Sequence, residues 1–541
     1  MSSFFRKFFG GKKTTKVTKK AISRRLELLG LEERITPATI SVNGNNEVVI
    51  QLNGETITDL STSINGNLIT INTAGSANNT GLGVGLTVNN NSVVVDTAVL
   101  TSFAGIQVTE STSNNAVTVG ATGVDLSTAP GGANQGFSIN LSSGGISQTS
   151  NVNGVIKAKG TGLVSLNLSN NGLTISAAGD ITTAAGAVSI AATNLDSAGD
   201  ITTGSGNISF GSALNPVGDM AINSTTGNVS FGIVTASSKN LSVTTGGTVS
   251  MTNSINLVSG NLAVSGGGDV TFSNAVTAAS VNAKSTAGDV IFANTVTTTG
   301  VGGFTSEATA AAKATQIANL VDVQNGANAL VTGNLLTIAN ATPQLKTAVA
   351  GTINITGKVD AAFSACDLTL TAANGAITLG GAVGSSGPLD ELNASGKTSF
   401  TANGAVTAEY ITIGFSQTDF ATSISFADMV KGNGTGFAIG VGATGAGTIY
   451  FAKSIEITNP VGEMYLQSEN GSINVSGNIL GKSGVYVESV AGAISVAGVT
   501  VDQTQANIQI ISDTGNITTT GEISAKGSSS FIDIYNDHGG D

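Results

Sequence analysis

The chain of 541 residues contains one cysteine, one histidine and no tryptophan, and only 10% of its residues are charged, against about a quarter in an average protein. One cysteine and one histidine cannot assemble a zinc site. A Ser-His-Asp triad would depend on His538, close to the end of the chain, where segments are loosely held. The lone Cys366 cannot close an intramolecular disulfide and reads as a small buried apolar residue in the stretch Ala362-Phe363-Ser364-Ala365-Cys366. No window offers eighteen uninterrupted apolar residues, which excludes a transmembrane helix. Without tryptophan, the usual stacking platform for sugars is also missing. Disorder does not follow from the low charge, because 40% of the residues are hydrophobic and disordered chains combine dense charge with low hydrophobicity.

Charge is segregated along the chain. Residues 1–34 hold ten of the 22 Lys and Arg and three of the 34 Asp and Glu, giving about +7; the remainder has twelve bases against thirty-one acids, or −19. All four arginines (Arg6, Arg24, Arg25, Arg34) lie in this head. A body of that sign repels phosphates, so nucleic acid is not an expected partner. The head begins MSSFFRKFFGGKKTTKVTKK, without the apolar core of a conventional signal peptide. A short basic amphipathic stretch from Ala21 follows and is broken at Pro37. Within it Leu31, Glu32, Glu33, Arg34, Pro37 and Ala38 resemble the N-terminal motif of large secreted and surface proteins of planctomycetes, a resemblance covering about fifteen residues. That resemblance implies an export or sorting segment over residues 1–38. A solvated basic tail and a membrane-surface anchor using Phe4, Phe5, Phe8 and Phe9 are the alternatives.

The body repeats itself. A Gly, a small or polar residue, then Ile or Val recurs at Gly206, Gly227, Gly247, Gly268 and Gly288, in steps of 21, 20, 21 and 20. It returns at Gly351, Gly375, Gly404, Gly447, Gly471, Gly492 and Gly515, in steps of 24, 29, 43, 24, 21 and 23, the longest being two turns with one degenerate marker. Between markers apolar residues alternate with Ser, Thr or Asn, as in Leu173-Thr174-Ile175 and Ile473-Asn474-Val475, which is strand spacing. Strands this short bury a face only if the next repeat stacks on it. The expected fold is therefore all-β, an elongated right-handed parallel β-helix (β-solenoid) of about 20–24 residues per rung, with glycine supplying a positive φ at the corners. The Leu-x-x-Leu-x-Leu frame of leucine-rich repeats is absent and propeller repeats are about twice as long.

Five parts are expected: the head at 1–38, an irregular β-rich leading part or cap at 39–160, regular solenoid at 161–302, an Ala-rich irregular insertion at 303–350, and solenoid again at 351–541. In the insertion, Glu307 to Leu320 has the composition of a short helix that loops out of the stack or bends it. The last residues read as a strand running into a turn, so the natural chain is expected to continue or that end to dock on another molecule.

From about residue 160 onward, period and composition resemble the bacterial β-solenoid surface proteins, such as filamentous-haemagglutinin-like adhesins and autotransporter passenger domains. The resemblance implies a structural or adhesive shaft, secreted or at the cell surface, with no catalytic, cofactor or metal residues of its own. Its partners would be other surface or matrix molecules, polysaccharide, or further copies of itself. A polysaccharide-acting enzyme and a passive matrix polymer are the other readings. Lyases of this shape resemble one another in using Arg or Lys as the base beside Ca²⁺, and the body has no Arg; hydrolases need closely spaced carboxylates. The recurrent Asp180, Asp200, Asp219, Asp269 and Asp289 follow a glycine once per turn and read as Asx-turn corners, a calcium ladder being the alternative. The glycine-rich pieces Gly81-Leu82-Gly83-Val84-Gly85 and Gly440-Val441-Gly442 match no nucleotide loop and read as linkers or corners. The five tyrosines, Tyr410, Tyr450, Tyr465, Tyr486 and Tyr535, all lie beyond residue 400. Core packing is their expected role, with an aromatic stripe on one outer face as the alternative.

Overall fold

The computed structural model describes residues 38–536 apart from 76–79, 82, 111–114, 142–147, 236, 339–342, 415–419 and 421. The chain divides into two units, Met1–Thr36, which lies outside the described residues, and Pro37–Asp541. The second unit is a parallel β-solenoid of about 16 stacked turns without a helix among the described residues. Alternating apolar residues place one side chain inward and the next outward along every short strand. A single core runs through the unit from Ile40 to Ile510.

Each turn contributes to three columns of parallel strands. Column A passes through Val188, Ile208, Val229, Val249, Val270 and Val290 and continues to Thr315, Leu335 and Val359. Column B passes through Leu345, Leu370, Ala394 and Ile413 to Val441, Leu466 and Val487. Column C passes through Ile353, Ile377, Phe400, Ile424, Ile449, Ile473 and Ile494. Strands such as Val164–Ile175 and Val296–Ala308 turn a corner unbroken and pair in two columns. At the leading end, hairpins Thr39–Val42 with Glu47–Gln51 and Ile57–Asn65 with Leu68–Ala74 are antiparallel, while Thr39 with Thr80 and Val48 with Ile106 already pair in parallel. The core is filled by phenylalanines that repeat in register. Phe210 stacks on Phe231 at 4.9 Å, Phe272 on Phe292 at 4.8 Å and Phe426 on Phe451 at 4.6 Å between ring centroids.

The segment 303–350 differs from its expected irregularity. The run from Glu307 to Leu320 forms no helix; Ala314–Ile317 and Leu320–Val323 are strands stacked on Val290–Phe292 and Val296–Thr298. Helix propensity is a weak preference, and here it competes with an open strand edge on the turn below, which must be paired. Thr315 and Ile317 alternate inward with Ala314 and Gln316 outward, and the one hydroxyl this brings into the core, on Thr315, bonds Ser306 Oγ at 2.8 Å. The marker pattern fails here for a different reason. Gly206 to Gly288 precede strands of column A, whereas Gly351, Gly375, Gly447, Gly471, Gly492 and Gly515 precede strands of column C. Gly404 precedes Val406, which returns to column A. Two corners share one local motif.

Nor do these glycines supply a positive φ: none of the marker glycines is among the left-handed residues. The cause is steric. A Cβ on Gly206 would fall on the carbonyl oxygen of Gly186, and one on Gly492 on that of Gly471, one turn away. The glycine lets two turns approach closely enough to hydrogen-bond.

A hydroxyl three residues earlier completes the corner, and its spacing is visible in the sequence as Ser/Thr-x-x-Gly. Buried Ser489 Oγ donates to the Gly471 carbonyl at 3.1 Å and accepts the Gly492 amide at 2.9 Å. Ser468 does the same between Gly447 and Gly471, and Ser512 between Gly492 and Gly515. Ser224 and Ser285 repeat the device at the other corner. Removing such a hydroxyl leaves a buried amide and a carbonyl short of partners. Ser489→Ala is therefore expected to destabilise its turn by about 2 kcal/mol, read as faster hydrogen exchange at the Gly492 amide with little change at turns near Val229.

Candidate functional site

The recurrent aspartates do not form a site. They occupy corners, but their bonds go to the next turn rather than back to their own loop. Asp180 Oδ1 accepts the Asp200 amide at 2.9 Å, Asp200 the Ala221 amide at 2.7 Å, and Asp219 the Asn240 amide at 2.9 Å. Asp269 and Asp289 accept the amides of Asp289 and Ala314, each at 2.9 Å. The amide and side chain of Asn240 hold the exposed Asp219 carboxyl below its ordinary pKa. Among the described residues no group of three or more His, Cys, Asp and Glu could hold a metal ion. Several lysines are spent in a similar way: Lys157–Asp125, Lys284–Glu307, Lys346–Asp322 and Lys431–Glu456 join neighbouring turns. Cys366 is buried, and His538 and the four arginines lie outside the described residues.

The tyrosines depart from their expected core role. Phenylalanines take the core, while Tyr410, Tyr450, Tyr465, Tyr486 and Tyr535 all alternate with inward-facing neighbours or stand exposed. Tyr410, Tyr465 and Tyr486 share the outer surface of column B. There Met464 and Leu466 point inward and Tyr465 and Gln467 outward, and in the next turn Val485 and Val487 point inward and Tyr486 and Glu488 outward. Register aligns Thr412, Gly440, Tyr465, Tyr486 and Gln509 in one row along the axis.

Gly440-Val441-Gly442 is part of the strand Gly436–Ala443 rather than a linker. Gly440 stands at an outward position of this row, so its turn contributes no side chain there. A bulge between Phe437 and Ile439 re-aims the preceding residue, leaving Phe437 63% exposed at the rim. The result is an open groove of about 330 Å³ lined by Thr412, Phe437, Gly440, Tyr465 and Gln467. Phe437 meets Tyr465 edge-on with centroids 6.5 Å apart, and Tyr465 and Tyr486 lie 6.1 Å apart. The Tyr465 hydroxyl donates to Glu488 Oε2 at 2.7 Å, and Gln467 Nε2 donates to the same oxygen at 3.4 Å. Burial, reinforced by the Glu488 carboxylate, pushes the Tyr465 pKa up to about 12, so the phenol remains a donor. A second hollow of about 350 Å³ lies near Val301, Gly302, Thr305 and Asn328 and carries no titratable side chain among its described lining.

Beside the groove, at the corner between columns A and B, acids gather. Glu391 pairs in register with Tyr410, whose ring lies over Gly434 and whose hydroxyl is 3.2 Å from Thr435 Oγ1. Burial, then the charges of Asp367 and Asp390, raise the Glu391 pKa above 4.5; burial and Asp390 do the same to Glu409. A carboxyl raised on folding stabilises the fold below its unfolded pKa, and that contribution is lost as pH rises through the folded value. Glu391→Gln is accordingly expected to raise the thermal midpoint at pH 7, with the gain disappearing as pH falls below 4.5; melting curves across that range check it.

The groove was out of reach of a local reading, because residues 412, 440 and 465 become neighbours only once the register of three turns is known. Comparison with known proteins finds no matching family model, no matching curated protein and no matching solved structure.

Proposed function

We propose that this chain is a non-catalytic structural and adhesive shaft, secreted and held at a cell surface or in an envelope layer. One observation carries the reading: the polar groups of the solenoid are committed to its own repetition. Asp and Asn at the corners accept amides of the next turn, several lysines pair with acids one turn away, and buried hydroxyls bridge glycines. Such a surface offers repeated, weak, hydroxyl-rich contacts, which become strong through multiplicity. Labelling intact cells with a membrane-impermeant reagent should mark the protein, and the purified chain should release no product from polysaccharides. An exclusively cytoplasmic protein would end this reading.

A second reading, a polysaccharide-acting enzyme, draws on the Glu391 and Glu409 carboxyls of raised pKa beside the aromatic groove. Turnover that is abolished by Glu391→Gln or Glu409→Gln would favour it.

A further inference from the structure

We propose that the groove on the outer face of column B binds a neutral glycan chain laid along the solenoid axis, its sugar faces against Phe437, Tyr465 and Tyr486 and its hydroxyls on Thr412, Gln467, Glu488 and Gln509. This gives a ligand to the adhesive part of the reading above and rests on it.

Four observations converge. First, three aromatic rings outside the core stand together: Phe437, Tyr465 and Tyr486 come from three successive turns and touch in sequence. Exposed aromatic area of this kind is unfavourable in water unless something covers it. Second, the rings are interleaved with amides and a carboxylate, the groups that bond sugar hydroxyls. Gln467 and Glu488 stand one position along from Tyr465 and Tyr486 on the same outer face, and Gln509 extends the row. Third, the platform is fixed beforehand, because Glu488 holds both the Tyr465 hydroxyl and the Gln467 amide. Little side-chain freedom remains to be lost on binding. Fourth, the surroundings select against other ligands. The strands that form the floor are paired on both sides, so a peptide cannot join by adding a strand. Glu463 and Glu488 flank the rings and no described arginine is present, which disfavours acidic polysaccharides.

The test uses the full chain with cellohexaose, mannohexaose and chitohexaose as probes and oligogalacturonate as the acidic comparator, followed by calorimetry. At least one neutral hexasaccharide should bind, and without cleavage. Phe437→Ala and Tyr465→Ala should each weaken it by about tenfold or more. Tyr465→Phe, which keeps the ring and loses the bond to Glu488, should weaken it less. Tyr450→Ala removes an outward tyrosine on column C and should leave binding unchanged. Because Phe437 is exposed, its variant is expected to melt like the parent, so weakened binding reports on the groove. Absence of binding to all three neutral probes, binding indifferent to both alanine variants, or preference for oligogalacturonate would overturn the inference while leaving the surface-shaft reading intact. Self-association abolished by Tyr465→Ala would also overturn it, assigning the groove to a second copy. Cleavage of a bound probe would instead remove the non-catalytic reading and keep the binding site.

Discussion

Gly492→Ala is expected to destabilise the turns around it by about 3 kcal/mol, whereas Gly44→Ala should change stability by less than about 0.5 kcal/mol. The two substitutions add the same methyl group. At Gly44 it meets nothing within 4 Å. At Gly492 it meets only backbone: the carbonyl oxygen and carbon of Gly471 and the amide nitrogen of Ser472. No side chain can swing aside, so the two turns must separate where Ile473 pairs with Ile494. The Gly492 amide would also leave Ser489 Oγ. Because a solenoid is stabilised turn by turn, its unfolding need not be one cooperative step. Hydrogen exchange resolved by segment is therefore the appropriate measurement. Protection should fall across residues 471–515 and remain unchanged near Val229 and Val249; uniform protection everywhere would contradict the steric account.

Phe426→Ala is expected to cost about 4 kcal/mol. The ring is fully buried, stacked on Phe451 at 4.6 Å and tilted against Phe400 at 5.5 Å. Truncation removes the middle of a three-ring column and leaves a cavity that the backbone ladders on both sides prevent from collapsing. Phe426→Leu, which retains much of the volume, should cost roughly half as much. Phe363→Ala supplies the comparison: that ring is 58% exposed, and its loss should fall within about 0.5 kcal/mol of zero. Denaturant titrations followed by exchange would rank the three, and equal effects for Phe426 and Phe363 would mean that the aromatic column does not bear on stability.

The solenoid was legible in the sequence because its cause is local. Alternation in stretches such as Ile473-Asn474-Val475 needs no knowledge of neighbours, and the glycine interval measures the circumference directly. What the glycines do was less accessible. Their lack of a side chain suggested an unusual φ, but the constraint comes from an oxygen one turn away, a distance that exists only after stacking. The same limit explains the tyrosines. Inward Phe426 and outward Tyr450 occupy adjacent strands of column C and differ by a single step of alternation. Alanine misled at 307–320 for the converse reason: its helical preference is intrinsic, whereas the strand edge that overrides it belongs to residues 290–298.

The bonds between turns run along the stacking axis, some donated to the turn before and some to the turn after, and this shapes the response of the unit to load. If its two ends are drawn apart, neighbouring turns meet the pull as a zipper does, one pair of ladders at a time, instead of sharing it across the whole length. A turn of 21 residues releases roughly 70 Å of chain when it opens. The assembly can thus lengthen in modest instalments, dissipating a tug at each step while the turns beyond the opening stay wound.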